Sequence, residues 1–134
     1  MAGSAVWAAV AFASHRRYNG PAGSAPHAGV EFGAHFKKGH ALWVYGFEYH
    51  NIPAQCQGSG TTATTDELDI TMNINSERKF SGHETLNGGK VTATVHGRFA
   101  KDFSKAHGNL RVHGTVPGCP SADTGVVKWH APAV

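Results

Sequence analysis

Apolar and polar residues alternate with a period of two along most of this chain. Val30, Phe32, Ala34 and Phe36 alternate with Glu31, Gly33 and His35, the signature of a strand with one buried face. Lys37, Lys38, Gly39 and His40 then predict a turn. The next run, ALWVYGFEYH over residues 41–50, is apolar at both parities, and Pro53 ends it before Cys56. The Gly-, Ser- and Thr-rich stretch from Gln57 to Thr65 reads as a loop. Leu68, Ile70, Met72 and Ile74 alternate with Asp69, Thr71, Asn73 and Asn75, which places one face of that segment in a core. A short strand is expected around Phe80 and Gly82, and Asn87-Gly88-Gly89 has the composition of a hairpin turn. Val91, Ala93, Val95, Gly97 and Phe99 are expected to face inward, as are Leu110, Val112, Gly114 and Val116 on the following strand. The last strand runs from Gly125 to Ala131.

About eight short strands with no helical period predict an all-β chain forming a single antiparallel β-sandwich, with a closed β-barrel as the alternative. The 134 residues suit one domain. Its folded unit is expected over residues 29–134. Residues 15–28, HRRYNGPAGSAPHA, show no apolar period and read as a linker or loose first turn. The opening MAGSAVWAAVAFAS, residues 1–14, is uncharged and closes in the small-x-small pattern Ala11-Phe12-Ala13. It reads as a signal peptide or the remnant of one, with a first strand of the domain as the alternative.

Composition supports the strand reading and adds a compartment. Seventeen glycines and six prolines match strands joined by tight turns. The two cysteines, Cys56 and Cys119, are far apart and form no CxxC pair, so one long-range disulfide in an exported protein is the simplest reading and two buried free thiols the alternative. A formal charge of +3 with ten neutral histidines describes a mildly basic surface that becomes strongly cationic as pH falls through the histidine range. No apolar run approaches the length of a membrane-spanning helix.

From Tyr18 to His130 the chain resembles a group of small secreted bacterial all-β domains of unassigned function. The residues that carry the resemblance are Tyr18 to Gly20, Pro53 to Cys56, Phe80 to Gly82, Gly108 to Leu110, Gly118-Cys119, and a closing Gly125, Val127 and Trp129. Pro120, Ser121 and Ala122 lengthen the spacing between Cys119 and Asp123 relative to that pattern. The resemblance implies a secreted sandwich with a Cys56–Cys119 bond and brings no catalytic residue with it.

Three patterns touch on chemistry. Asp123-Thr124-Gly125 matches the aspartic-protease tripeptide without the strand and flap that the chemistry needs, so a turn capped by Asp123 is expected. Ser76 and Lys79 satisfy Ser-x-x-Lys between two strand patterns, where the two side chains point to opposite faces. The histidines matter more. If Phe99 pairs with Leu110, His96 lies opposite His113 and Arg98 opposite Arg111 on the outward face. That arrangement offers two metal ligands, with a third to come from His83, His107 or His130, or else an anion-binding patch at the arginines.

The ALWVYGFEYH run puts Trp43, Tyr45, Phe47 and Tyr49 at one parity. They form either a core row or an outward stacking platform for sugar rings or a partner protein. The expected function is a non-enzymatic, exported binding or structural module. One alternative is a carbohydrate-binding module using Trp43, Tyr45 and Tyr49, and another is a small metal-dependent enzyme using the histidine face. Polysaccharide or a cell-surface protein are the expected partners, nucleic acid is not, and no cofactor is expected.

Overall fold

Phe32 sits where the alternating apolar residues of both ends of the chain converge. In the computed structural model, which describes residues 15–38, 40–58 and 60–134, its ring stacks on Phe47 at 5.4 Å and on Tyr18 at 5.1 Å, with Trp129 edge-on at 5.6 Å. Phe80 and Phe99 complete the cluster, and every one of these rings is buried. Offset and edge-to-face pairs of this kind add to the burial of large apolar area that stabilises a small all-β fold.

Among the described residues ten strands surround this core: β1 (His15–Pro21), β2 (Gly29–Lys37), β3 (His40–Cys56), β4 (Thr61–Glu67), β5 (Met72–Asn73), β6 (Lys79–Leu86), β7 (Val91–Phe99), β8 (Lys105–Val116), β9 (Cys119–Asp123) and β10 (Val127–Pro132). Every ladder is antiparallel. The main path runs β1-β2-β3-β9-β8-β7-β6, with β4 and β5 on the far edge of β3 and β10 beside β9 on β8. Two isolated bridges, Tyr18 with Ala133 and Ala22 with Trp129, bring β1 against the end of the chain. Among the described residues no ladder joins β5 to β6, so the sheet folds over on itself as a sandwich-like body without closing into a barrel.

The inward rows follow the alternation of the sequence. Val30, Phe32, Ala34 and Phe36 are buried, as are Val91, Ala93, Val95 and Phe99, and Leu110 and Val112. Two expectations are corrected, and a third is borne out with less pairing than a full strand. Residues 15–21, expected within a linker, form strand β1, where Tyr18 is fully buried and its hydroxyl donates to the Phe103 carbonyl at 2.7 Å. Burial pushes its phenol up to about 12. Most of the expected Gln57–Thr65 loop belongs to β4, whose single buried side chain, Thr64, donates to the Ile52 carbonyl at 2.9 Å. The Leu68–Asn75 segment keeps its alternating burial, but only Met72 and Asn73 make a ladder. The signal-peptide reading of residues 1–14 lies outside the described residues.

Cys56, at the end of β3, is disulfide-bonded to Cys119, at the start of β9. The bond fastens the strand that links the two halves of the sheet. None of the described residues forms a helix long and apolar enough to cross a membrane.

Candidate functional site

The four aromatics of β3 do not share a face, because a residue is inserted between them. Gly33 pairs with Tyr45 and Glu31 with Glu48, so Phe32 alone faces both Gly46 and Phe47. Gly46 has φ 59°, the left-handed conformation that a bulge of this type requires and that glycine adopts without steric penalty. The extra residue reverses the parity of the segment that follows, until a second irregularity at Asn51, φ 55°, restores it and Ile52, Ala54 and Cys56 face inward. Trp43 and Tyr45 point outward and are half-buried, while Phe47 and Tyr49 turn into the core at 0% and 1% exposure. Tyr49 therefore presents no ring to solvent and drops out of the stacking row.

The outward face of β1, β2 and β3 is built in rows by the register. His15, His35, Trp43 and Asn73 form one row across four strands. His35 stacks on Trp43 with ring centroids 4.4 Å apart and planes within 14°, and its Nδ1 is buried without a hydrogen-bond partner. In the next row Arg17, Gly33 and Tyr45 are neighbours. Tyr45 lies across Gly33: a Cβ there would stand 2.7 Å from ring atom Cε2 and closer still to Cζ and the hydroxyl. His15 stands perpendicular to the tyrosine ring at 5.5 Å.

The third row is acidic, with Glu31, Glu48 and Glu67 on adjacent strands. Partial burial, followed by the charges of Glu31 and Glu67, raises the carboxyl pKa of Glu48. Arg17 approaches Glu31 at 3.4 Å. Two partly buried outward rings, one lying over a glycine, are thus bordered by carboxylates and a guanidinium. Such a surface can stack an apolar ring face and accept or donate hydrogen bonds at its edge.

A second outward face, on β6, β7, β8 and β10, carries His83, His96, His107, His113 and His130. Phe99 pairs with Ala106 instead of Leu110, so the β7–β8 register is displaced by four residues from the expected one. The tip of the hairpin explains the difference. Ala100 donates to the Lys105 carbonyl at 2.9 Å, and Phe103 tucks its ring against Phe99 and Phe36, which leaves a short connection. His96 consequently faces Asn109, His113 faces Thr92, and Arg111 faces Thr94. His96 and His113 are not paired, Arg98 and Arg111 are not opposed, and no group of three His, Cys, Asp or Glu among the described residues is placed to hold a metal ion.

Arg111 instead forms a two-pronged ion pair with Asp123, at 3.1 and 2.7 Å. Asp123 also accepts from the Gly125 amide at 2.8 Å, the capped turn expected for Asp-Thr-Gly. These contacts, led by the arginine, lower its carboxyl pKa to about 2. The register assembles two rows that no sequence spacing announces: Lys79, Arg98, His107 and His130, and beside it Ser81, His96, Asn109 and Lys128.

A cleft of about 530 Å³ lies where β5 approaches β6, with Asn73, Asn75, Lys79, Ser81 and His96 among its lining residues. Sequence reasoning missed Gly33, Glu31, Asn73 and Ser81, since each enters the site only as a cross-strand neighbour. No family model, curated protein or solved structure matches this chain.

Proposed function

We propose that this chain is an exported, non-enzymatic binding module that takes a polysaccharide on the outward face of β1, β2 and β3. The observation that carries the reading is the pose of Tyr45, laid across Gly33 beside the outward Trp43. A ring supported from beneath by the sheet loses little freedom when a sugar stacks on it, and pre-organisation of this kind favours binding. Glu31, Glu48 and Arg17 supply the hydrogen-bonding edge that orients hydroxyl groups. Export is supported by the Cys56–Cys119 bond, since disulfides persist in oxidising compartments.

The test is pull-down on insoluble cellulose and chitin, followed by titration with soluble oligosaccharides selected on a glycan array. Tyr45→Ala and Trp43→Ala are expected to abolish retention while leaving the melting temperature within a few degrees. Unchanged retention of the Trp43→Ala, Tyr45→Ala double variant, or no bound glycan across the array, would refute the proposal.

A further inference from the structure

The seam between β5 and β6 is closed by side chains where a ladder would otherwise stand. Ile70 and Met72 lie over Gly82, at which a Cβ would come within 2.9 Å of Ile70 Cδ1 and Met72 Cγ. Beside that crossing the seam widens into the 530 Å³ cleft, within the size range of ligand sites. Its lining combines the apolar Met72 and Phe80 with polar side chains, and among the described residues no carboxylate lines it.

The polar lining is rich in donors. Lys79 brings an ammonium group, His96 a ring N–H and Ser81 a hydroxyl. Asn75 accepts from the amides of Glu77 and Lys79 through Oδ1, both at 2.9 Å, which leaves its amino group to donate. Glu77 touches Lys79 only at 3.9 Å, with both side chains more than half exposed, a contact too weak to neutralise the lysine.

On one side of the cleft the cationic character continues. Lys79 is followed across the sheet by Arg98, His107 and His130, and Ser81 by His96, Asn109 and Lys128. Arg98 and Lys128 are exposed, and no ion pair among the described residues engages them. At ordinary strand spacing β6 to β10 spans about 14 Å, room for more than one unit of a linear polymer. On the other side, Asn73 lines the cleft and is the cross-strand partner of Trp43. The cleft thus lies between an aromatic surface and a basic one, with polar side chains connecting them.

We propose that this cleft is the acid-reading subsite of the module, and that the ligand is a polysaccharide containing uronic acids. Its sugar rings contact Trp43 and Tyr45, and its carboxylates are met by Lys79, Arg98 and the donors around the cleft. The inference rests on the polysaccharide reading above and names its ligand class. Charge complementarity selects the occupant: a donor-lined, carboxylate-free cleft leading to unpaired cations favours an anionic polymer over a neutral one.

The experiment compares polygalacturonate with its fully methyl-esterified form, which keeps the rings and removes the charge. Wild-type protein is expected to bind the acid at least about tenfold more tightly, the worth of one charge-assisted contact. Lys79→Ser with Arg98→Ser, both exposed positions, should erase that preference, leave ester binding intact and leave the melting temperature unchanged. Tyr45→Ala should weaken both polymers.

Equal affinity of wild type for acid and ester, or a preference that survives in the Lys79→Ser, Arg98→Ser variant, overturns the subsite while leaving the aromatic platform standing. Acid binding unaffected by Tyr45→Ala overturns the platform and leaves the subsite. Failure to bind either polymer overturns the assignment to uronic acids. Binding to duplex DNA as strong as to polygalacturonate, and lost in the same double variant, overturns the assignment to a polysaccharide, because charge alone is then being read.

Discussion

Replacing both Cys56 and Cys119 by alanine should remove a large part of the stability of this fold. The two residues are 63 apart in sequence, and a cross-link closing a loop of that length restricts the unfolded chain by roughly 4 kcal/mol in the chain-entropy model. Little else compensates nearby. Among the described residues the apolar packing around the bond is Ala54, Ala122 and part of Val116, so the hydrophobic contribution there is small. The strand that the bond fastens is also thinly held: β9 makes two residue pairs with β3 and three with β8.

Against a total of about 5–15 kcal/mol for a natural domain, a loss near 4 kcal/mol is severe, and for a chain of this size it lowers the melting temperature by roughly 15 °C. Alanine is the right replacement because Cys119 is 1% exposed and a serine hydroxyl there would be desolvated. The assay is urea unfolding followed by circular dichroism, with wild type in the oxidised form confirmed by its mass before and after reduction and alkylation. The denaturant slope should rise, since the uncrosslinked unfolded chain exposes more surface. A loss below about 1 kcal/mol with an unchanged slope would refute the reasoning, because the bond would then constrain β9 locally and not the unfolded ensemble.

Three further outcomes follow from particular contacts. Gly33→Ala places a methyl under the Tyr45 ring, which must lift away, so polysaccharide affinity measured by titration should fall as far as in Tyr45→Ala while thermal stability changes little. Asp123→Asn removes a carboxylate whose native pKa is held near 2 by Arg111, below its unfolded value. Its contribution is therefore present at neutral pH and lost as pH falls from about 4 through about 2. With both side chains about half exposed it amounts to less than about 1 kcal/mol, and melts of variant and wild type should converge near pH 2. Tyr18→Phe removes the hydrogen bond to the Phe103 carbonyl, which keeps a 3.2 Å contact from Arg16, so the loss at neutral pH should be about 1 kcal/mol. Because burial raises the native phenol pKa to about 12, wild type should lose stability as pH rises from 10 to 12 and the variant should lack that component, as alkaline melts would show.

Much of the core was legible because inward-facing residues announce themselves by alternation. Phe32, Val95 and Leu110 were placed correctly on that basis, and the cysteine pair followed from count and spacing. Strands β1 and β4 were illegible for a shared reason: each buries few side chains. β1 encloses Tyr18 amid Arg, Asn, Gly and Pro, and β4 encloses only Thr64, whose hydroxyl is satisfied by a backbone carbonyl. A strand that contributes one inward residue leaves no period to read.

The two failures on the functional faces have different arithmetic. The β7–β8 hairpin is displaced by four residues from its expected register, an even number, so each side chain keeps its face and only its partner changes. His96, Arg98, Arg111 and His113 are therefore outward as expected, while the pairings that suggested a metal site vanish. The Gly46 bulge inserts one residue, an odd number, and exchanges the faces of the residues beyond it as far as the second irregularity at Asn51. That single insertion separates Trp43 and Tyr45 from Phe47 and Tyr49, sending the first pair to the surface and the second to the core. Partners depend on where a turn closes, and faces depend on parity, so a spacing argument tolerates a slipped hairpin but not an unrecognised bulge. The candidate site depends on both: the bulge sets the aromatic platform, and the displaced hairpin aligns Lys79, Arg98, His107 and His130 in one row beside the cleft.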